Sequence, residues 1–356
     1  MGARKRVAVL FGGRSSEHDV SLMSAANVVA AIDRDRYEIE LIGITRAGEW
    51  LSVALEGGLP PKTIPAGGTR LSLLPGGNGR LLAIPADGSP FEMRPVDVIF
   101  PVLHGLFGED GSVQGHAEVA GVPYVGCGIF GSAAAMDKDM AKTLLLRAGL
   151  KVARSKTLRR GEPGSFEELS QALGLPLFVK PARQGSSVGV GKARMAEEFA
   201  VALKAAFAHD DKVLVEEFLD GREVECAILE APDGSLAASV PGEIIPAAKH
   251  GFYSYDAKYI DGDGAALKIP AELSAARTAE LQDLSRRAFR ALGCEGMARV
   301  DFFLRPDGSF YVNEVNTIPG FTNISMYPKL FEASGIDNRE LVTRLIEHAL
   351  ARAGRA

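Results

Sequence analysis

The 356-residue chain is short of cysteine, of long apolar runs and of net positive charge, and each shortage removes a class of function. Cys127, Cys226 and Cys294 are odd in number and far apart. They make no zinc or redox pattern. A chain so poor in cysteine suits a reducing cytosol, with its thiols buried as small hydrophobes. The six histidines are scattered as well, with no two at metal-site spacing. No run of 18 apolar residues occurs, so no membrane-spanning helix is expected. The basic start, Met1-Gly2-Ala3-Arg4-Lys5-Arg6, leads into an apolar stretch over residues 7–11 that is too short for a signal peptide. Arg6 also stands where a myristoylation pattern needs Ser or Thr. A net charge of −5 argues against a nucleic-acid backbone or an anionic membrane as the main partner. Internal repeats and low-complexity tails are missing too.

What remains is an ordinary globular composition, 46% hydrophobic and 24% charged, in a chain long enough for two or three domains. A strand over 7–11 ends in Gly12-Gly13, and Ser15 or Ser16 is expected to cap the helix that follows. A second strand over 37–44 makes this the start of a parallel α/β unit. Residues 49–95 turn rich in Gly and Pro and read as a surface insertion of short hairpins. Strands over 96–103 and 123–125, with a helix over 113–120 capped by Ser112, close a first domain at 1–126. A central domain is expected over 127–218, with one helix over 132–148 and strands over 177–180, 188–192 and 213–218. A last domain, 219–356, carries further strands and helices over 274–292 and 338–352.

The stretch 298–325 carries the strongest chemistry. Strand-like runs over 299–304 and 310–315 flank Pro306-Asp307-Gly308, a short-range hairpin signal. With Asp307 and Gly308 as a two-residue turn, Asp301 falls opposite Glu314 and Arg299 opposite Asn316. Directly opposed residues share a face, so these four project one way. Val300, Phe302, Leu304, Tyr311 and Val315 form the other, core-like face, with Asn313 as the exception. Carboxylates opposed at roughly 5 Å destabilise a sheet unless something positive offsets them. Arg299 is one candidate and a divalent cation another. Oxygen-only ligands suit Mg²⁺, which completes its shell on substrate phosphates. A solvated hairpin face with a cross-strand ion pair is the competing account, and a three-residue loop would break the register.

Three more sites draw notice. Lys180 precedes Pro181 and a loop, Arg183-Gln184-Gly185-Ser186-Ser187-Val188-Gly189, whose glycines and hydroxyls suit an anion. It is not a Walker A loop, since Ala193 follows Gly191-Lys192. Strands on either side make it a hairpin lid over phosphates, or else a flexible surface loop. The stretch over 252–259 sets Tyr253, Tyr255, Lys258 and Tyr259 in a loop, or on an amphipathic edge strand. Glu17 opens the first helix, where a carboxylate also suits the helix dipole.

Together these residues resemble the D-alanine–D-alanine ligases of the ATP-grasp superfamily. The matching motifs run in order along nearly the whole chain: Gly12-Gly13-x-Ser15-x-Glu17 with Ser21, His104-Gly105 with Gly108-Glu109-Asp110-Gly111, Met136-Asp137-Lys138, Lys180-Pro181, Gly185-Ser186-Ser187-Val188-Gly189, the Tyr–Lys–Tyr loop, and Arg299-x-Asp301 with Glu314-x-Asn316-Thr317-x-Pro319-Gly320-Phe321-Thr322. The resemblance implies a mixed α/β, three-domain ATP-grasp fold that opens on a parallel α/β domain and holds ATP between two sheets. It implies a cytoplasmic enzyme of peptidoglycan precursor synthesis, a homodimer whose small-molecule substrates are D-alanine and ATP. One D-alanine carboxylate takes the γ-phosphate as an acyl phosphate. The amine of a second D-alanine attacks it, and a tetrahedral intermediate collapses to the dipeptide.

The resemblance also implies roles. Asp301, Glu314 and Asn316 hold two Mg²⁺, or Mn²⁺, on the phosphates. Lys138, Lys180 and Lys258 add positive charge there, with Ser186 and Ser187 in the closing loop and Tyr253 near the nucleotide. Glu216, Glu217, the backbone around Phe218 and Leu219, and Glu223 fix adenine and ribose. Arg299 stabilises the oxyanion. Glu17, with His104 nearby, receives the first D-alanine. Gly320, Ser325 and Met326 hold the carboxylate of the second. Ser186, Tyr259 and Glu17 form one hydrogen-bonded chain that closes the site. Tyr259 favours an amine over a D-lactate hydroxyl as nucleophile. A regulator that had lost catalysis would be expected to lack a metal ligand or the arginine, and here Arg299, Asp301, Glu314 and Asn316 are all present.

Overall fold

The computed structural model describes residues 4–162, 164–246 and 265–354. Strand β1 (Lys5–Gly12), helix α1 (His18–Ala31) and strand β2 (Tyr37–Ile44) form the expected parallel unit. Strands β3 (Trp50–Val53), β4 (Arg70–Leu73), β5 (Leu81–Ile84) and β6 (Phe91–Glu92) follow, then β7 (Val98–Val102) and helix α2 (Ser112–Ala120). The sheet order is β6-β5-β4-β3-β2-β1-β7, so β7 returns to the far side of β1. The Gly/Pro-rich stretch does form short antiparallel hairpins, as expected, but they are not a surface insertion. Its strands extend the same sheet, and Leu71, Leu73, Leu81 and Ala83 join its core. Both faces of β1 are covered, which is why it reads as a continuous apolar run. Val7, Val9 and Phe11 pack on α1, while Ala8 and Leu10 pack on the α2 side. The strand expected over 123–125 reduces to one parallel bridge, Ile99 to Tyr124.

The helix expected over 132–148 is two helices, α3 (Ile129–Met136) and α4 (Lys138–Arg147). Asp137 breaks it: its backbone is extended and its carboxylate accepts from the Asp139 and Met140 N–H groups, capping α4. Strand β8 (Ser155–Arg159), helix α5 (Phe166–Leu173), strands β9 (Leu177–Pro181) and β10 (Gly191–Ala193), helix α6 (Ala196–Phe207) and strand β11 (Lys212–Glu217) form a four-stranded antiparallel sheet, β10-β9-β11-β8. Val179, Val213 and Val215 face α5 and α6. By alternation, Phe178, Lys180 and Glu216 face the other way.

Strands β12 (Arg222–Glu230), β13 (Leu236–Ala238), β14 (Gly242–Pro246) and β15 (Ala265–Lys268) lead to helix α7 (Ala275–Ala291), strands β16 (Met297–Leu304) and β17 (Phe310–Asn316), and helices α8 (Met326–Glu332) and α9 (Asn338–Ala353). The third sheet runs β15-β14-β12-β16-β17, with β13 against β12. One face of β12, β16 and β17 packs on α7 through Val224, Cys226, Val300, Phe302, Val312 and Phe289. Helix α8 was not foreseen in the sequence.

The hairpin expectation was off by one residue at the turn. Arg305 pairs with Ser309, leaving a three-residue loop, and Phe302, Phe303 and Leu304 pair with Val312, Tyr311 and Phe310. A register shift beyond Asp301 then restores Asp301 opposite Glu314 and Arg299 opposite Asn316. The extra residue is Asn313, a β-bulge. The same shift puts Phe310 and Val312 in the core, and Tyr311 leaves the core face assigned to it. Phe289 is buried at the centre of this layer. Phe289→Ala is expected to cost about 3–5 kcal/mol by loss of contact and an unfilled cavity. A thermal melt checks this, and an unchanged midpoint would contradict the packing described.

Candidate active site

The free face of the third sheet and the free face of the second meet across a cleft. Its outer cavity, of about 430 Å³, is lined by Lys138, Lys180, Ser186, Ser187, Glu216, Phe218, Glu223, Phe303 and Glu314, among others. An inner cavity of about 220 Å³ is lined by Glu17, His104, Glu109, Glu225, Arg299, Asn316, Gly320, Ser325 and Met326, among others. Gly185, Ser186 and Glu314 border both, so the two form one cleft.

The inner floor is a row of charges across three strands. Glu225 on β12 pairs with Asp301 on β16, which pairs with Glu314 on β17. Arg299 lies against them. Its Nε and Nη2 donate to the two Asp301 oxygens at 2.7 Å each, and Nε also lies 2.8 Å from Glu225 Oε2. Asn316 Nδ2 donates to Asp301 Oδ2 at 3.0 Å. Burial would lower the Arg299 pKa, but Asp301, Glu225 and Glu314 outweigh it and hold the guanidinium firmly charged.

The outer wall concentrates lysine around a buried acid. Glu216 lies 2.6 Å from Lys180 Nζ and 2.9 Å from Lys142 Nζ. Burial pushes the Glu216 pKa up, and the two ammonium groups more than reverse it. Burial lowers the Lys142 pKa despite its partner. Glu216 thus lines the cavity with its carboxylate paired to two lysines. Glu217 points to Arg154 at 2.7 Å. Phe218 stacks on Phe178 at 5.8 Å between ring centroids, with Lys192 Nζ 4.6 Å over the Phe218 ring. Such a flat apolar slot fits a planar heterocycle. Leu219 is buried beside it and Glu223 lines the far side.

The glycine loop closes one end. Lys138 Nζ donates to the Gln184 carbonyl at 2.6 Å. Ser186 and Ser187 both have positive φ, 48° and 58°, a conformation costly for non-glycine residues and frequent at ligand clamps. The Ser186 hydroxyl donates to Glu17. A Cβ on Gly185 would stand 2.7 Å from Glu17 Oε2, so a side chain there would push the carboxylate aside. Two members of the expected Ser–Tyr–Glu chain therefore meet. Tyr259, with Tyr253 and Lys258, lies outside the described residues.

Glu17 is placed by the turn before α1. Ser15 Oγ accepts from the Glu17 N–H and donates to the His104 carbonyl, whereas Glu17 occupies the cap position without a side-chain cap bond. Ser15 thus tethers two loops instead of capping the helix. Similarly, Gly111 rather than Ser112 holds the cap position of α2. His104 is buried with both ring nitrogens engaged, Nδ1 with the Ile318 carbonyl and Nε2 with Ser24 Oγ, each at 3.0 Å. Burial lowers its pKa. It acts here as a pin between β7 and the 318–321 loop. Ser325 Oγ accepts from the Thr322 N–H at 2.9 Å at the start of α8, beside Gly320 and Met326.

Sequence reasoning gave no role to Glu225, Lys142 or Glu109. Glu225 was within reach, because it shares the face of Glu223 two residues earlier. The partners of Lys142 are long-range and left no local signal. Glu109 accepts from the Gly105 N–H at 2.8 Å and the Ile318 N–H at 2.9 Å, joining the first sheet's loops to the third's.

Among the described residues no three His, Cys, Asp or Glu gather as a closed metal cluster. Asp301, Glu314 and Asn316 offer two carboxylates and an amide. That donor set fits Mg²⁺, which takes few protein oxygens and relies on phosphate. No helix among the described residues is long and apolar enough to cross a membrane.

Glu109 also sets a pH dependence. Burial and the Glu17 carboxylate push its pKa up from 4.5 to about 8, against the two N–H bonds. The folded state therefore holds a proton that the unfolded chain releases, and stability is lost as pH rises from about 4.5 to about 8. Glu109→Gln should remove that part of the slope in thermal midpoint against pH. A slope unchanged by the substitution would contradict the assignment.

Comparison with known proteins agrees with this geometry. Residues 6–127 match the family model for the D-ala D-ala ligase N-terminus, and 144–347 match that for the D-ala D-ala ligase C-terminus. A D-alanine–D-alanine ligase A of Mesorhizobium japonicum is 59% identical over 355 residues, covering 99% of each chain. The D-alanine-D-alanine ligase structure from Coxiella burnetii superposes with a TM-score of 0.85 at 35% identity, covering 99% of this chain and 96% of that one. The VanG D-Ala:D-Ser ligase of Enterococcus faecalis gives 0.85 at 37% identity, covering 98% and 100%.

Proposed function

The chain belongs to the D-alanine–D-alanine ligase family, and we propose that it joins two D-alanines with ATP through an acyl phosphate, in peptidoglycan precursor synthesis. The observation that carries this is the shared face of Arg299, Asp301, Glu314 and Asn316 on the cleft floor, below the lysine-rich wall. Both halves of a phosphoryl-transfer site are needed at once, alignment and charge neutralisation.

Adenine enters the slot beside Phe178, Phe218 and Leu219, with the backbone at 217–219 and Glu223 toward base and ribose. Lys138 and Lys180 face the phosphates. Glu216 keeps Lys180 extended into the cavity, and Ser186 and Ser187 close over the phosphates. Asp301, Glu314 and Asn316 hold two Mg²⁺, whose chemistry is to offset phosphate charge during transfer. The ammonium of the first D-alanine pairs with Glu17, on the loops that His104 and Glu109 pin. Its carboxylate then points toward the phosphates. Gly320, Ser325 and Met326 receive the carboxylate of the second D-alanine. Its amine attacks the acyl carbon, and Arg299 stabilises the resulting oxyanion. Ser186 on Glu17 ties the lid to the substrate helix, and Tyr253, Lys258 and Tyr259 are assigned to the same closure. Closure excludes water, which would otherwise hydrolyse the acyl phosphate.

Three domains, 1–126, 127–218 and 219–356, fit this division of labour, since each range contains one sheet. The enzyme works in the cytoplasm as a homodimer, with no membrane or nucleic acid as partner.

A second reading, D-serine as second substrate, has support in the VanG likeness. Phosphate release with ATP, Mg²⁺ and a panel of D- and L-amino acids and D-lactate separates the two. D-Alanyl-D-alanine is expected as main product, and a predominant D-alanyl-D-serine or depsipeptide would refute that choice. Glu314→Gln is expected to abolish dipeptide formation with little change in the melt. Full activity in that variant would remove the metal-holding role.

A further inference from the structure

The lysine and the loop assigned to the phosphates ride on different cores. Lys138 opens α4, whose Ala141 and Leu145 pack with Leu281 and Phe289 behind the third sheet. The glycine loop over 183–189 leaves β9, whose Val179 packs with Val213 and Val215 of β11 in the second sheet's core. Among the described residues the two cores share no side chain. Apolar packing alone therefore does not fix Lys138 against the loop.

A ring of bonds does, and Lys212 closes it. The Lys138 N–H donates to the Ala182 carbonyl at 3.0 Å, and the Ala182 N–H donates to the Lys212 carbonyl at 2.9 Å. The Lys212 side chain then turns to α4. Its Nζ donates to Asp137 Oδ1 at 2.7 Å, lies 2.6 Å from Oδ2, and donates to Asp139 Oδ2 at 3.3 Å. Asp137 and Asp139 flank Lys138 in the chain, so the path returns to its start. One residue thus holds the root of the loop by its main chain and the helix by its ammonium. Asp210 fixes the next step of the loop, accepting from the Arg183 N–H at 2.8 Å and the Lys212 N–H at 3.1 Å. Lys212 is 5% exposed and is not among the described residues that line the outer cavity. Burying an ammonium costs desolvation and side-chain entropy, which two adjacent carboxylates offset.

We propose that Lys212 is a positioning residue for the nucleotide. It pins the Lys138 end of α4 to the root of the glycine loop, so that the Lys138 ammonium and the loop's N–H and hydroxyl groups face the same phosphates. The bond from Lys138 Nζ to the Gln184 carbonyl, at 2.6 Å, marks the alignment that the ring maintains. This rests on the assignment of Lys138 and the loop to phosphate made above.

Calorimetry with ADP and Mg²⁺, and with adenosine alone, tests it. Lys212→Met keeps most of the stem and removes the ammonium, Lys138→Met removes the cation on which Lys212 acts, and the double variant closes the cycle. Lys212→Met is expected to weaken ADP about tenfold, the scale of a coupled polar network, and to leave adenosine within about twofold. A loss of folded protein would lower the number of binding sites and leave both affinities alone. In the Lys138→Met background, Lys212→Met should cost about twofold or less, because the cation it aims is gone. Equal losses in both backgrounds would mean that Lys212 acts only as a distant charge. An equal loss for adenosine would place the effect on the base, and unchanged ADP affinity would mean that Lys212 holds nothing. Each of these overturns the proposal. Should Lys212→Met not fold, Asp137→Asn carries the test, since asparagine keeps a cap on α4 and removes the charge that Lys212 pairs with. It should weaken ADP about threefold, as an amide oxygen still accepts, with adenosine unchanged. ADP affinity unchanged in that variant overturns the proposal in turn. ADP affinity unaffected by Lys138→Met would instead remove the phosphate assignment of Lys138 itself, and the proposal with it.

Discussion

A buried guanidinium in a row of carboxylates is the interaction on which this molecule turns. Sheet pairing alone would leave Glu225, Asp301 and Glu314 side by side across three strands, and like charges so placed push a sheet apart. Arg299 holds that row together. Desolvating such groups costs several kcal/mol each unless they are paired and hydrogen-bonded, and here the bonds are short and mutual. A face with this cost would not stand in the sheet for stability alone. The packing on the reverse of the same strands, centred on Phe289 and Phe302, is what carries it.

The cleft above that floor is assembled from all three sheets. The Gly12-Gly13 turn, where a Cβ on Gly12 would meet the Ile44 carbonyl at 2.4 Å, sends α1 off the end of β1 and presents Glu17. Ser24 and His104 then pin the 318–321 loop, and Glu109 adds two bonds between the same regions. The substrate end is thus cross-linked through neutral or protonated groups, while charge is reserved for the floor and the lysine wall. The lid differs. Two serines in left-handed backbone and a hydroxyl bond to Glu17 make it a strained clamp, fit for opening and closing.

Much of this was legible in the residues, and the exceptions are physical. The floor was readable because period-two alternation and an Asp-Gly turn specify a face. The turn itself was misjudged, since loop length is set by Arg305 and Ser309 pairing, and the Asn313 bulge happened to restore the expected partners. The break at Asp137 hid within a helical pattern because its capping bonds compete locally with the helix. Strands β3 to β6 each pair with the strand before them, but that these hairpins continue the sheet from β2 and enter its core is something composition does not record. Glu216 lines the outer cavity paired with Lys142 and Lys180, partners that nothing near it in sequence announces. His104 lines the inner cavity, and the bonds that engage both of its ring nitrogens likewise left no local signal.

Anomalous diffraction from crystals grown with Mn²⁺, ADP and a phosphorylated D-alanine mimic tests the central claim most directly. Two peaks should appear between the nucleotide phosphates and the oxygens of Asp301, Glu314 and Asn316, each within about 2.3 Å of a ligating oxygen, close to Mg²⁺ distances. Arg299 should lie beside the acyl carbon. Peaks bound elsewhere, or a nucleotide remote from this floor, would contradict the account.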